Sequence, residues 1–327
     1  MAIKKKTKLI IAATSTIVVF ILAMLGSWTI TQQQIQADAI RYFDEDTDIS
    51  LEKLTNNLEA HTNALYSARG LLTAKSDINQ KDWRNFIETN YALERYPYIS
   101  AIAYVKKVRN SELDQFVSGM NNDDSLEEDI DFEIFPESSE EEHYIVTYYE
   151  SSDGDQSARG FDLATSPIRK EVMDQAVVTG ELAIGEPIEL IGDRGRGFHL
   201  YLPVYELDNS IMSREDALLG FAMVVIQIDK FIEDLYEESA FRISVNDIDA
   251  NGMRLYSNYA DRFENVISKT ATIDVANRSW KFEAWAPNTY KLSTFQMVIP
   301  YTILLLGFVG VVTLSILFRL LINKHDN

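Results

Sequence analysis

The sequence predicts an α+β domain held between two membrane-spanning helices. Three observations lead there. Uncharged apolar runs lie near both ends, 22 residues at Leu9–Ile30 and 27 at Leu292–Phe318. A helical periodicity follows the first run directly. From residue 99 to the second run, short alternating strand patterns interleave with capped helices, the signature of antiparallel sheets with helices packed on them.

Either apolar run is long enough to span. An α-helix rising about 1.5 Å per residue needs about 20 residues to cross a hydrocarbon layer about 30 Å thick. A cleaved signal peptide is the competing reading of the first run. Its apolar stretch is too long for that, and no small-residue cleavage site follows before Gln32. Lys4, Lys5, Lys6 and Lys8 precede the first run, and Arg319 and Lys324 follow the second. Positive flanks stay cytoplasmic, so both termini are expected inside and residues 31–291 outside.

Six of the 30 Lys and Arg residues and one of the 50 acids then lie inside, leaving an exterior of 24 basic and 49 acidic residues, net −25. Such a surface repels nucleic acid and anionic lipid, and neither is expected as a partner. The chain has no cysteine, which excludes disulfides, thiolate metal sites and cysteine nucleophiles.

After the first span, Ala37, Ile40, Thr47, Leu51, Leu54, Leu58, Leu65, Ala68 and Leu72 fall on a 3,4 spacing, with Asp44 and His61 in the remaining seam positions. The seam is strongest from Leu51 on, while Asp44, Glu45, Asp46 and Asp48 weaken it near the membrane. Two readings stay open for this stalk. Leu51, Leu54, Leu58 and Leu65 pair with a second copy in a homodimer, or the helix packs on its own domain; different faces can serve both.

Next comes a helix over about Asp82–Glu94, with Trp83, Phe86, Ile87 and Tyr91 on its apolar face, stopped by Tyr96-Pro97. Ile99–Val108 alternates as a strand, Ser111–Phe116 reads as a short helix, and Asn121–Asp131 as an acidic surface loop. Strand-like runs follow at Phe132–Phe135 and Tyr144–Tyr149. Ser166 is placed to cap a helix opening at Pro167, and Gly180 to end it in the left-handed region. Ala183–Leu190 and Phe198–Tyr205 read as strands.

A second unit is expected from Leu207. It holds a strand at Leu218–Ile228, a helix at Lys230–Glu237, and hairpins at Arg242–Val245 with Met253–Ser257 and at Thr270–Val275 with Ser279–Ala286. The expected organisation is therefore a cytoplasmic N-terminus (1–8), a span (9–30), a stalk (31–78), a membrane-distal unit (79–206), a proximal unit (207–291), a span (292–318) and a cytoplasmic tail (319–327).

Chemical motifs are weak. Gly192–Gly197, GDRGRG, offers backbone amides with Arg194 and Arg196 to an anion, but lacks the Lys-Ser/Thr ending and the following helix of a phosphate loop. A glycine-rich hairpin turn fits better. Asp247–Gly252, DIDANG, opens like a calcium loop, yet its twelfth position is Asn258 rather than a bidentate glutamate, and strands flank it. A polar turn is the expectation, with no metal and no cofactor. His61, His143, His199 and His325 have no metal-ligand spacing. His199 shares a strand face with Tyr201; it is either a satisfied histidine in a half-buried strand or, if a ligand pocket lies on that face, a pocket residue able to titrate near neutral pH. Tyr144, Tyr148, Tyr149 and Tyr201 give these strands polar aromatic edges. No nucleophile elbow or paired-acid motif points to catalysis, so no catalytic residue is named and no enzyme is expected.

ALYSARGLLTAKSDINQKDWRNFIETNYALERYPYISAIAYVKKV, with Arg69-Gly70, Trp83 and Tyr96-Pro97-Tyr98-Ile99, resembles the opening block of the CHASE domain. This is an extracellular sensory module found ahead of histidine kinases and nucleotide cyclases. Tyr98 stands where the family carries glycine. Gly160-Phe161-Asp162, Ser166-Pro167, Arg169, Ala176, Thr179-Gly180, Pro187 and Leu190 resemble the second block, and GFHLYLPVY (Gly197–Tyr205) the third.

The resemblance implies two tandem PAS-like subdomains on a long helix, with a small-molecule ligand in the distal one. The ligand-binding candidates it implies are Tyr148, Glu150, Asp162, Gly185, Ile188, His199 and Tyr201. Gly185 and Ile188 stand where plant members carry threonine and phenylalanine, and Glu150 lies near their pocket acid, so the adenine-type ligand of plant members is not carried over. The expected function is a dimeric receptor input module that passes ligand binding to a cytoplasmic kinase or cyclase, in cis or in trans. Pro300 offers a bend in the second span, or is a proline tolerated near the membrane surface. The chain ends soon after that span, so the output would belong to a longer product or to a separate membrane partner. The alternative is a membrane-anchored interaction or structural module without a small ligand.

Overall fold

The computed structural model describes residues 2–75, 77–123, 131–190, 195–207, 213–236, 239–259 and 266–324. In order, these form α1 (Ala2–Ala74), α2 (Gln80–Thr89), α3 (Ala92–Arg95), β1 (Ile99–Arg109), α4 (Leu113–Asn121), β2 (Glu142–Ser151), α5 (Pro167–Thr179), β3 (Ala183–Ile184), β4 (Ile188–Glu189) and β5 (Arg196–Tyr205). Then come α6 (Arg214–Ala217), β6 (Leu218–Gln227), α7 (Ile228–Tyr236), β7 (Arg242–Asp247), β8 (Met253–Ser257), β9 (Val266–Val275), β10 (Arg278–Pro287) and α8 (Thr294–Lys324). The chain divides into two compact units. One comprises Met1–Asp48, Arg262–Lys269 and Trp285–Asn327, the other Ile49–Asp261 and Thr270–Ala284.

The first unit holds the two helical stretches long and apolar enough to cross a membrane, in α1 and α8. They touch through small residues. A Cβ added at Gly307 would run into the Met24 side chain, and one at Gly310 would lie 2.8 Å from the Phe20 ring, the close backbone approach that glycine permits between spans. Below the stalk, the acids that weaken the heptad are held by cations. Lys291 reaches Asp46 at 2.6 Å, Lys269 reaches Asp48 at 2.8 Å, and the Tyr290 hydroxyl donates to Asp46 at 2.6 Å.

The second unit is built on an antiparallel sheet ordered β2-β1-β6-β5-β3, with β4 also on β5. β6 is the correction here. Leu218–Ile228 is the expected start of a separate unit, but β6 pairs along its length with both β1 and β5 in the middle of this first sheet. Its run Phe221–Ile226 is buried, as a central strand must be on both faces. The boundary near Leu207 therefore moves past residue 227. A second sheet follows, ordered β8-β7-β10-β9, in which both expected hairpins form.

The stalk heptad is spent inside the protomer. Leu54, Leu58, His61, Leu65, Ala68 and Leu72 are all buried, and only Leu51 of the four seam leucines stays half-buried. His61 stacks on Tyr98 and meets the Phe231 ring edge-on, with ring centroids 5.6 and 5.5 Å away. A seam between two copies cannot use Leu54, Leu58 or Leu65 without unpacking the domain.

Smaller departures have local causes. The helix expected over Asp82–Glu94 is two helices, since Tyr91 sits at φ +50° and breaks the ladder. α2 begins on a reciprocal cap, with Asn79 accepting from the Asp82 amide and Asp82 accepting from Asn79. Phe132–Phe135 makes one bridge, Phe135 to Phe161, rather than a strand. Ala183–Leu190 is two short strands, interrupted at Gly185-Glu186-Pro187. α5 opens at Pro167 and ends at Gly180 (φ +76°) as expected, although Ser166 makes no side-chain cap bond. Ser111–Phe116 becomes a turn of 3-10 helix leading into α4.

The calcium-like loop is a structural turn. Buried Asp247 accepts from Arg278 Nε at 2.7 Å and from the amides of Asp249 and Ala250 at 3.1 and 3.2 Å. No cluster suited to a metal ion occurs among the described residues. Arg196 of the GDRGRG stretch pairs with Asp229 at 2.7 Å; Gly192 to Arg194, residues 124–130 of the acidic loop and His325 lie outside the described residues.

Candidate functional site

One face of the β2-β1-β6-β5-β3 sheet is covered by α5. Ala101, Ala103 and Val105 of β1, Tyr144, Val146 and Tyr149 of β2, Tyr201 of β5, and Phe221, Met223 and Val225 of β6 pack there against Val172, Met173, Ala176 and Val177 of α5. A cavity of about 40 Å³ lies under the N-terminal end of α5. Its apolar wall includes Val146, Leu163, Met223 and Val225, and its polar groups include Ser100, Ser157, Arg169 and His199, with Glu189 and Leu190 at its edge.

His199 is half-buried and lines the cavity. Burial first, and then the positive charge of Arg169, push its pKa down to about 3. The imidazole is therefore neutral near pH 7, with one donor and one acceptor nitrogen. It lies parallel to the Tyr201 ring, with centroids 6.0 Å apart. Tyr201 is fully buried, its hydroxyl has no hydrogen-bond partner, and burial raises the pKa of that hydroxyl. The Arg169 guanidinium sits 5.2 Å from the centre of the Phe161 ring, and its buried Nε also lacks a partner.

The sheet separates the seven residues proposed for ligand binding. His199 lines the cavity, and Tyr201 stands beside it. Gly185 donates its amide to the His199 carbonyl at 3.0 Å, which places it just behind that wall. Ile188 pairs with Gly197 on β4, outside the lining. Tyr148 and Glu150 are on the opposite face. The Tyr148 hydroxyl donates to the Ile78 carbonyl at 2.7 Å. Glu150 accepts from Gln80 at 2.7 Å and pairs with Arg84 at 3.2 Å, which docks α2 on the sheet. Burial raises the Glu150 pKa, while Arg84 and Gln80 oppose the rise. Asp162 is wholly buried as a fold hub, accepting from the amides of Tyr144 and Ala164 at 3.1 and 3.0 Å and meeting His143 Nδ1 at 2.7 Å. Tyr148 and Glu150 thus lie across the sheet from the cavity, and Asp162 lies in a hydrogen-bond network outside its lining. All four tyrosines, Tyr144, Tyr148, Tyr149 and Tyr201, are buried.

A second hollow of about 750 Å³ lies on the Tyr148 face, lined by Leu72, Tyr104, Lys106, Phe116 and Tyr148 among others. It is a broad, open cleft. Its tyrosines are tied to the backbone, Tyr104 to Leu219 and Tyr148 to Ile78, and Lys107 is paired with Glu142 at 2.8 Å. The cavity under α5 is smaller but less open, and it is lined by Arg169, whose buried Nε has no partner. It is the better candidate for a ligand site.

Sequence reasoning passed over Arg169, Ser157 and Met223 as site residues. Arg169 left a signal, since it lies three and four residues before Val172 and Met173, which places a cation on the apolar face of its helix.

Among solved structures, the chain is similar to the ligand-binding domain of the Pseudomonas aeruginosa PAO1 amino-acid chemoreceptor PctC in complex with GABA. That likeness has a TM-score of 0.45 and 11% identity, covering 75% of this chain and 99% of that one. It is also similar to the periplasmic sensory domain of the Campylobacter jejuni chemoreceptor Tlp1 (TM-score 0.44, 9% identity, 80% and 97% covered). A third is an extracellular ligand binding receptor from Desulfohalobium retbaense (TM-score 0.45, 10% identity), matched over 77% of this chain and 39% of that chain, so this chain spans about two fifths of its length. No curated protein matches. The model of the CHASE domain matches residues 76–256, more than half of the sequence, and the chain belongs to the CHASE domain family.

Proposed function

We propose that this protein is a membrane-anchored sensory module whose second unit takes a small molecule in the cavity between α5 and the β2-β1-β6-β5-β3 sheet, and that residues 31–291 lie outside the cytoplasm. The observation that carries the reading is the set of polar groups in a largely apolar wall: the unpartnered Arg169 Nε and the neutral His199. Buried polar groups without partners are costly unless something else supplies the bonds. At about 40 Å³ the cavity holds a few waters, so ligand entry requires its edge at Ser157 and Leu190 to move outward.

That movement has a route. α5 carries Arg169 near its start, and farther along Gln175 accepts from Asn277 Nδ2 at 2.9 Å. Asn277 sits in the turn between β9 and β10, and its Oδ1 also accepts from the Ile184 amide at 2.6 Å. β10 leads along the chain to α8. A ligand that favours one position of α5 biases the β9–β10 turn by its differential affinity for the two positions. The receiver is a cytoplasmic kinase or cyclase, in the same chain or in a partner, and the receptor works as a homodimer.

The test is a thermal-shift screen of the full chain in detergent micelles against organic acids, amino acids, purines and peptides. A compound that binds the native state at a hundred times its Kd stabilises by about 2.7 kcal/mol. The expected result is a saturable rise for one chemical class, absent in Met223→Trp, which fills the cavity. No rise with any class, together with a protein partner recovered from membranes, would replace this reading with that of an interaction module.

A further inference from the structure

We infer that the ligand is a small monocarboxylate with a compact apolar tail, held through its two oxygens by Arg169; this rests on reading the cavity under α5 as the sensory site. Helix geometry turns Arg169 toward the sheet, on the face of α5 that buries Val172, Met173 and Ala176. Its Nε is buried and has no acceptor, so the guanidinium is held by the Phe161 ring alone among the described contacts. A planar carboxylate satisfies two donors of that fork at once, as a single carbonyl or hydroxyl cannot.

The surrounding groups narrow the class further. His199 is uncharged and offers the second oxygen one hydrogen bond without adding charge. Val146, Leu163, Met223 and Val225 give the wall an apolar part that suits a branched or short aliphatic tail, beside the hydroxyl groups of Ser100, Tyr149 and Ser157. Among the described residues, no carboxylate inside the cavity pairs with an ammonium group. Among the described residues, the one carboxylate lining the cavity is Glu189, exposed at its edge. Asp162 is spent on His143 and two amides, and Glu150 is bound to Gln80 and Arg84 across the sheet. An α-amino acid would bury an unpaired cation here, and a dicarboxylate an uncompensated anion. One cation matches one negative charge.

Isothermal titration of the full chain in micelles, near pH 7, compares isobutyrate, isobutanol, isobutylamine and valine. Isobutyrate is expected to bind saturably and the other three not to bind. Arg169→Gln is expected to weaken isobutyrate by at least about tenfold, and Arg169→Lys by less, because the charge survives while the fork is lost. The unliganded melting temperature shows that each variant folds; if neither does, the ranking of the four probes on the wild-type chain decides. Equal binding of isobutanol, isobutylamine or valine overturns the anion assignment. So does isobutyrate binding that survives Arg169→Gln yet is lost in Met223→Trp, and both results leave the cavity in place. Failure of every probe, with a compound of another class found in the screen and blocked by Met223→Trp, overturns the ligand class alone. Failure of every class overturns the site with it.

Discussion

His199 makes this domain sensitive to acid, and the size of the effect follows from its surroundings. In the unfolded chain a histidine titrates near 6.5. In the fold, burial and Arg169 hold it down to about 3. The unfolded chain therefore takes up a proton first as pH falls. Its contribution to stability is complete above about 6.5 and shrinks as pH drops toward 3, at up to about 1.4 kcal/mol per pH unit. Between pH 7 and 5 the loss comes to about 2 kcal/mol, and nearer 1 kcal/mol once the partial exposure of the ring is allowed for.

His61, buried beside Tyr98 and Phe231, is lowered by the same cause and adds to the total in the same direction. The informative quantity is thus the difference between wild type and His199→Gln. Urea melts of both, at steps from pH 8 to 5, should converge as pH falls, with the wild type losing about 1–2 kcal/mol more than the variant. Parallel losses would mean that His199 protonates freely in the folded chain, and the enclosed, cation-flanked environment assigned to it would be wrong.

Leu65→Ala, at a fully buried stalk position, should cost about 2–5 kcal/mol in urea melts without changing the sedimentation mass; dissociation into smaller species would restore the leucine seam between copies. Gly160→Ala should destabilise by more than about 1 kcal/mol, because φ is +86° and a Cβ would overlap the Glu133 carbonyl; an unchanged urea midpoint would contradict that geometry. Arg278→Ala leaves buried Asp247 uncompensated and should lower stability by about 3–5 kcal/mol, while calcium or EDTA should leave the wild-type melting temperature unmoved. Since the chain has no cysteine, single reporters read the topology: Ser139→Cys should react with an impermeant maleimide on intact cells, and Lys8→Cys only after lysis. The reverse pattern would invert the orientation.

Much of the architecture was legible because single elements carried their own signals. The charge-free runs, the Pro167 start and Gly180 stop of α5, and the hairpin turn at Asn251-Gly252 are local features, and each formed. β6 shows the limit. Its pattern identifies a strand, but nothing local says that residues 218–227 pair with β1, more than a hundred positions earlier. The stalk was ambiguous for a related reason: a 3,4 repeat describes one apolar face without naming what covers it, and here the chain's own domain does.

The candidate site was legible only in part. His199 and Tyr201 share a face by strand alternation, and the structure keeps them together. Tyr148 and Glu150 fell to the other face because the β1–β2 pairing shifts register between Tyr104 and Val105, a bulge that alternation cannot anticipate. Arg169 had an unusual place on an apolar helix face, but its unpaired nitrogen is a property of the assembled fold.

Which face of the β2-β1-β6-β5-β3 sheet responds to ligand is the most direct question left to measurement. Amide hydrogen exchange on the full chain, with and without a stabilising compound, should show protection concentrated at residues 157–173 and 188–201, with a smaller change at the β9–β10 turn around Asn277. Protection confined to Ile78–Arg84 and Tyr148–Glu150 would move the site to the opposite face and contradict the cavity under α5 as the sensory pocket.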